Sequence, residues 1–205
     1  ELLIEEQRVV GVIVGDTVVK AKVVILATGT YLRSRIYIGD YSYEAGPQGQ
    51  QPSVDLANSL EKWLPLVRFK TGTPARVNLR SLDYSKMEIQ PGNEFFRGFS
   101  FETKGFDIEQ VPCWLTYTNQ ETHRIINDNL DRAAMYSGAI TGVGPRYCPS
   151  IESKVVQFPE RTGHQVFVEP EGWDTQEGYL SGLSSSLPAD VQQEFIRTVP
   201  GLENA

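Results

Sequence analysis

The chain has 205 residues and a formal net charge of −7, from 19 Lys and Arg against 26 Asp and Glu. That length supports one sizeable core or one and a half domains, and 40% apolar residues with 18 Gly and 12 Pro is the composition of a folded globular protein rather than a disordered one. The acidic balance argues against a chain that coats nucleic acid without selectivity, and two cysteines, Cys113 and Cys148, exclude a disulfide-dense scaffold and a cysteine-built zinc cluster. No apolar run approaches the roughly 20 residues of a membrane span, and the first residues lack the basic stretch of a signal peptide. A cytoplasmic protein with no membrane anchor is the expectation.

In chain order, the opening reads as β structure: residues 2–4, then the alternating apolar residues 9–14, turn chemistry at Gly15-Asp16, and a return over 18–22. Val23-Val24-Ile25-Leu26-Ala27 is an uninterrupted apolar run ending at Thr28-Gly29-Thr30, which predicts a strand covered on both faces in a parallel sheet. Residues 39–51 are rich in Gly, Tyr and polar side chains and predict a loop, with a domain boundary placed at 40/41. Ser53 is set to cap a helix running to about Leu64, because Leu56, Leu60, Trp63 and Leu64 recur at helical spacing. Residues 66–69 and 76–79 predict short strands around the turn Thr71-Gly72-Thr73-Pro74, while 85–105 carries no pattern. The alternation over 111–118 predicts a strand, followed by a helix opened by Thr118 and Glu121 at capping-box spacing, with Ile125, Ile126 and Leu130 inward. Val155-Val156 and 164–168 read as strands, and Pro188 starts a last helix with Val191, Phe195, Ile196 and Val199 that stops at Pro200-Gly201.

Several residues carry candidate chemistry. The turn at Thr28-Gly29 sits where the carboxyl end of a parallel strand meets ligands, or it simply ends a strand. Ser53 offers a hydroxyl at a helix start, for a polar ligand edge or for capping alone. Arg68, Lys70, Arg76 and Arg80 fall within thirteen residues free of acid, a solvated face or a set of phosphate contacts. The segment Gly142 to Glu152 is the most unusual: two glycines free the backbone, two prolines stiffen it, Arg146 offers a planar fork of donors, and Cys148 lies between them. A thiol beside a cation has a lowered pKa and serves as a nucleophile, whereas packing is the alternative use for Cys148 and the expected one for Cys113. His123 and His164, 41 positions apart, read as structural or surface residues, the acids Glu160, Glu169, Glu171, Asp174 and Glu177 as a solvated acidic loop, and no spacing suggests a metal site.

Taken together, Ala27-Thr28-Gly29-Thr30-Tyr31-Leu32, Gln51-Pro52-Ser53, Phe69-Lys70-Thr71-Gly72-Thr73-Pro74, Val111-Pro112-Cys113, Thr116-Tyr117-Thr118-Asn119, Asn129-Leu130-Asp131-Arg132, Gly144 to Glu152, Glu169-Pro170-Glu171-Gly172, Ser184 to Pro188 and Gly201 to Ala205 resemble the MnmG (GidA) family in order and from end to end. The resemblance implies an FAD-dependent tRNA-modifying enzyme. With a GTPase of the MnmE (TrmE) family, it would add a carboxymethylaminomethyl or aminomethyl group to carbon 5 of the wobble uridine of certain tRNAs. A folate would supply the one-carbon unit, NADH would reduce the flavin, and the full-length protein would be a homodimer.

The fold implied is α/β: residues 1–40 as the tail of a FAD-binding Rossmann-like domain, and 41–205 as an inserted mixed α/β domain. Residue by residue, the resemblance implies flavin contacts at Thr28, Gly29 and Ser53. It implies nicotinamide-dinucleotide contacts at Gly144, Pro145, Arg146, Tyr147, Cys148, Pro149, Ser150, Ile151, Glu152, Ser153, Lys154, Val155, Val156, Gln157 and Phe158. Cys148 would activate the uracil ring by attack at carbon 6, and Lys70 and Arg76 would contact RNA. The glycine-rich FAD fingerprint of the family does not occur in the chain, so an excised, catalytically incompetent piece is expected, and Glu44-Ala45-Gly46 stands where the family often has Arg-Ala-Gly, which argues against a basic contact in that loop. Two other readings stay open: the related folate- and FAD-dependent tRNA uracil-5-methyltransferase, and a noncatalytic RNA- or partner-docking module.

Overall fold

A computed structural model describes residues 1–93, 98–103, 105, 109–144 and 148–205. The chain divides into two compact units, Glu1–Phe69 and Lys70–Ala205, later than the 40/41 position read from the sequence. The segment expected to be a linking loop folds into the first unit instead, as the second strand of a hairpin and a turn of 3-10 helix at Pro47–Gly49.

In the first unit, strands β1 (Leu2–Glu5), β2 (Arg8–Val14) and β3 (Thr17–Lys20) form an antiparallel meander. Its register pairs Leu2 with Val12 and Gly11 with Lys20. A second hairpin joins β4 (Arg35–Ile38) to β5 (Tyr41–Glu44). Helix α1 (Val54–Glu61) follows, with Ala57 and Leu60 buried, and it ends before the expected Leu64. The run 23–27 is not the buried strand its hydrophobicity predicts: no strand among the described residues pairs with it, and Val23 and Ile25 stand 75% and 85% exposed. An apolar run specifies burial only where neighbouring strands supply both a ladder and a cover.

The second unit is built on a five-stranded antiparallel sheet in the order β6-β10-β9-β8-β7, made of β6 (Arg76–Asn78), β7 (Glu88–Gln90), β8 (Cys113–Tyr117), β9 (Gln165–Pro170) and β10 (Glu177–Ser181). Alternation places Val166, Val168 and Leu180 inward with no exposure. Helices α2 (Gln120–Asp128), α3 (Ile151–Gln157) and α4 (Ala189–Ile196) add Ile126, Ile151 and Phe195 to the same core, and α2 lies against both α3 and α4. Burying side chains of this size contributes about 1.5–3 kcal/mol each.

Three expectations are corrected in this unit. The cap of α2 is Asn119, not Thr118: the Asn119 side chain accepts from Thr122 N–H and Thr122 Oγ1 accepts from Asn119 N–H, a closed capping box one residue later. Val155-Val156 lies in α3 rather than a strand, because Ser150 caps a helix there by accepting from Ser153 N–H. The acids do not form one solvated loop: Glu160 and Asp174 are exposed in turns as expected, but Glu169 sits in β9, Glu171 pairs with Arg76, and Glu177 opens β10.

Candidate functional site

In the first unit, the turn and the helix start singled out from the sequence meet. Tyr31 N–H donates to the Thr28 carbonyl at 3.1 Å, closing a turn in which Gly29 takes a left-handed φ of 52° that disfavours a side chain. Ser53 N–H then donates to the Tyr31 carbonyl at 2.8 Å, and Leu32 and Ser53 form a parallel bridge. The Ser53 hydroxyl makes no capping bond to α1, so it is available for another partner at the helix start.

In the second unit the segment beginning at Lys70 packs on Cys148. Gly72 N–H points at the Cys148 sulfur at 3.5 Å, and the Thr71 hydroxyl lies at the same 3.5 Å. The Gly72 N–H, opposed by burial and assisted by the Thr71 hydroxyl and the Lys70 charge, holds this thiol below its ordinary pKa. Cys113 goes the other way: burial first, and then the Glu169 carboxylate, push its thiol up. Lys70 is anchored by its N–H on the Val143 carbonyl at 3.1 Å, and its ammonium rests 2.6 Å from the Met135 sulfur. It passes so close to Gly144 that a Cβ there would stand 2.7 Å from Lys70 Cε. The segments around Lys70 and Cys148, more than seventy residues apart in sequence, therefore form one site.

The stretch expected to contact a dinucleotide splits by orientation. Ile151, Glu152 and Val155 face the core at 0%, 0% and 3% exposure, so direct contact with a cofactor is corrected to packing for these three. Glu152 holds the Ser186 loop instead, its Oε1 accepting from Ser186 N–H at 2.7 Å and from the Ser186 hydroxyl at 2.9 Å. Gly144, Cys148, Pro149, Ser153, Lys154, Val156, Gln157 and Phe158 keep access to solvent, while Ser150 is buried as the cap of α3. Pro145, Arg146 and Tyr147 lie outside the described residues.

The basic cluster divides too. Arg76 is committed to Glu171, to Thr73 Oγ1 at 2.8 Å, to the Pro74 carbonyl at 2.9 Å, and to the face of Tyr179, 4.5 Å from its centroid. Its Nε and one terminal nitrogen are held in this structural clamp, which competes with the RNA contact expected of Arg76. Lys70 serves the cysteine site. Sequence reasoning missed the pairing of His123 with His164, whose rings lie 5.2 Å apart around Thr118, because nothing in a 41-residue gap announces a contact. The Thr118 hydroxyl bonds His123 Nε2 at 2.8 Å and accepts His164 N–H at 2.8 Å.

An antiparallel sheet with a helix cover, and a cysteine held by a glycine-containing turn, define the class only as a mixed α/β protein with a polarised thiol. The profile of the family described as glucose inhibited division protein A matches residues 1–205, and the chain belongs to that family. The tRNA uridine 5-carboxymethylaminomethyl modification enzyme MnmG of a Bacillus cereus strain is 57% identical over 205 residues, 99% of this chain and 33% of that protein. The enzyme of the same name from Bacillus licheniformis is 58% identical over the same shares. The structure of Aquifex aeolicus GidA in its form I crystal superposes with a TM-score of 0.85 at 46% identity, covering 100% of this chain and 35% of that one. The chain thus spans about a third of the length of the relatives it matches.

Proposed function

We propose that the chain is a part of an FAD-dependent enzyme that, with a GTPase partner, installs a carboxymethylaminomethyl or aminomethyl group on carbon 5 of the wobble uridine of certain tRNAs. The observation that carries this reading is the 57% identity over 205 residues to proteins named for that modification. The geometry supports it at two places. The Thr28-Gly29 turn and the uncommitted Ser53 hydroxyl are joined by backbone bonds and fit a polar edge of a flavin. Bound there, a flavin would supply the redox chemistry, with NADH as reductant and folate as one-carbon donor, and residues 1–40 would be the tail of its Rossmann-like domain.

The Cys148 thiolate, stabilised by Gly72 N–H, adds to carbon 6 of uracil, and the electron pair of the 5,6 double bond moves to make carbon 5 nucleophilic. After carbon 5 has bonded to the one-carbon unit and lost its proton, expulsion of the thiolate restores the double bond. A base must leave its stack to reach the thiol.

The test is nucleoside mass spectrometry of tRNA from cells lacking the complete gene, with and without complementation. The modified wobble uridine should vanish, return with the intact gene, and stay absent with Cys148→Ser although the protein is folded and flavin-loaded. Loss of a methylated uridine elsewhere in tRNA, with wobble positions intact, would reassign the chain to a methyltransferase.

A further inference from the structure

In the second unit a cleft of about 470 Å³ opens where the end of α3 meets the start of β9, lined by Tyr117, Lys154, Phe158, Arg161, His164 and Gln165. No carboxylate is among those lining residues, and the cleft gathers two cations, Lys154 and Arg161, beside the His164 ring. Lys154 is largely buried, with its ammonium on the Gly182 carbonyl at 2.7 Å, and burial lowers its pKa. Arg161 is exposed and makes no ion pair among the described residues. His164 has a lowered pKa from burial and then from the positive charges of Lys154, His123 and Arg161, with Glu160 alone pulling the other way, and its Nε2 is buried without a hydrogen-bond partner. Holding Lys154 and Arg161 around a ring whose protonation they oppose costs free energy, and an anion entering the cleft offsets that positive charge.

Two rings frame these cations, Tyr117 at 47% and Phe158 at 41% exposure. A cation for the phosphate beside a ring for the base is how single-stranded RNA is held. The neighbouring cleft, of similar volume, shares Arg161 but not Lys154 or the two rings; it contains Asp128 and Glu160, and its Arg124 is paired with Glu121 at 2.6 Å and with Asp128 at 2.8 Å, so Tyr117 and Arg124 are the residues that tell the two clefts apart.

We propose that the cleft between α3 and β9 is a binding site for one nucleotide of a single RNA strand, its phosphate on Lys154, Arg161 and His164 and its base against Tyr117 or Phe158. The choice of RNA as the source of the phosphate rests on the reading of the chain as part of a tRNA-modifying enzyme. The charge, the unsatisfied nitrogen and the rings do not depend on it.

The experiment uses the complete protein and a fluorescent single-stranded uridine oligonucleotide, titrated at several salt concentrations. Arg161→Glu is expected to weaken binding at least about tenfold and to reduce the salt slope by about one. Tyr117→Ala is expected to weaken it by about tenfold, Tyr117→Phe to retain it, and Arg124→Glu, in the neighbouring cleft, to leave it unchanged. No binding by the unaltered protein, or equal binding by Arg161→Glu and Tyr117→Ala, overturns the proposal. So does a cleft that captures NADH or inorganic phosphate in an Arg161-dependent way while RNA binding ignores Arg161. If gene deletion removes the wobble modification but Arg161→Glu binds RNA normally, the cleft assignment falls and the enzyme reading stands. If deletion leaves wobble uridines untouched while Arg161→Glu abolishes RNA capture, the reverse holds.

Discussion

At the scale of single residues, the two cysteines form an internal control. Both are free and partly buried, yet a backbone N–H on Cys148 and burial beside a carboxylate on Cys113 move their pKa values in opposite directions. Alkylation needs the thiolate, so iodoacetamide at about pH 7.5 should label Cys148 well before Cys113, read by peptide mass spectrometry over time. Equal rates would mean that the contacts from Gly72 and Thr71 do not reach the sulfur in solution. Thr71→Val, which keeps the shape and removes the hydroxyl, should slow labelling of Cys148 and leave Cys113 unchanged. The thiol was visible in the sequence as an unusual residue between prolines. The contact from Gly72 was not, because it comes from a turn more than seventy residues away; Arg146, the neighbour that the sequence offers, lies outside the described residues.

At the scale of elements, local chemistry was legible and pairing was not. The strands at 113–117 and 165–170 stand within a residue or two of their expected places and the last helix starts where expected but ends at Ile196, before Pro200, because alternation and helical spacing are properties of the segment itself. Residues 177–181 escape notice because Glu177 joins them to the acidic stretch before and Gly178 on the inward face breaks the apolar alternation, leaving Leu180 as the one large buried residue of the strand. Residues 23–27 were misread for the opposite reason, an apolar run whose cover the sequence cannot reveal. The cap of α2 shows how one residue of register matters. Asn119 accepts from Thr122 N–H at 3.0 Å and its amide reaches the Thr198 carbonyl at 2.6 Å, so it closes the helix and ties it to the turn after α4. Asn119→Ala should therefore cost about 1–2 kcal/mol by denaturant unfolding, at the upper end for a cap. Glu121→Ala, which touches only the exposed Arg124 pair, should cost well under about 1 kcal/mol. A larger effect at Glu121 than at Asn119 would restore the capping box first read from the sequence.

At the scale of the whole molecule, the net charge of −7 conceals a local cationic surface, which is why composition argued against nucleic acid while one cleft argues for it. The histidines beside that cleft give the chain a pH dependence distinct from that of its carboxylates. Burial lowers His123, and burial with neighbouring positive charge lowers His164, so the folded state prefers both rings neutral. Above the ordinary histidine value of about 6.5, folded and unfolded chains carry the same protonation at these positions and the preference is fully present. As pH falls below that value the unfolded chain takes up protons first, and stability declines until the folded rings titrate in turn. The lowered carboxyls of Glu61, Glu121, Asp190 and Glu203 lose their contribution in the same direction, but only as pH falls below their own ordinary range near about 4. Thermal melting should thus show a first loss of stability that begins as pH falls below about 6.5, ahead of the acid transition of the carboxyls. A His123→Gln/His164→Gln double variant should flatten that first step and leave the second. A step that survives the double variant would assign it to other groups. Bound RNA should shrink the step in the unaltered protein, since a phosphate beside His164 favours the protonated ring that the free cleft disfavours.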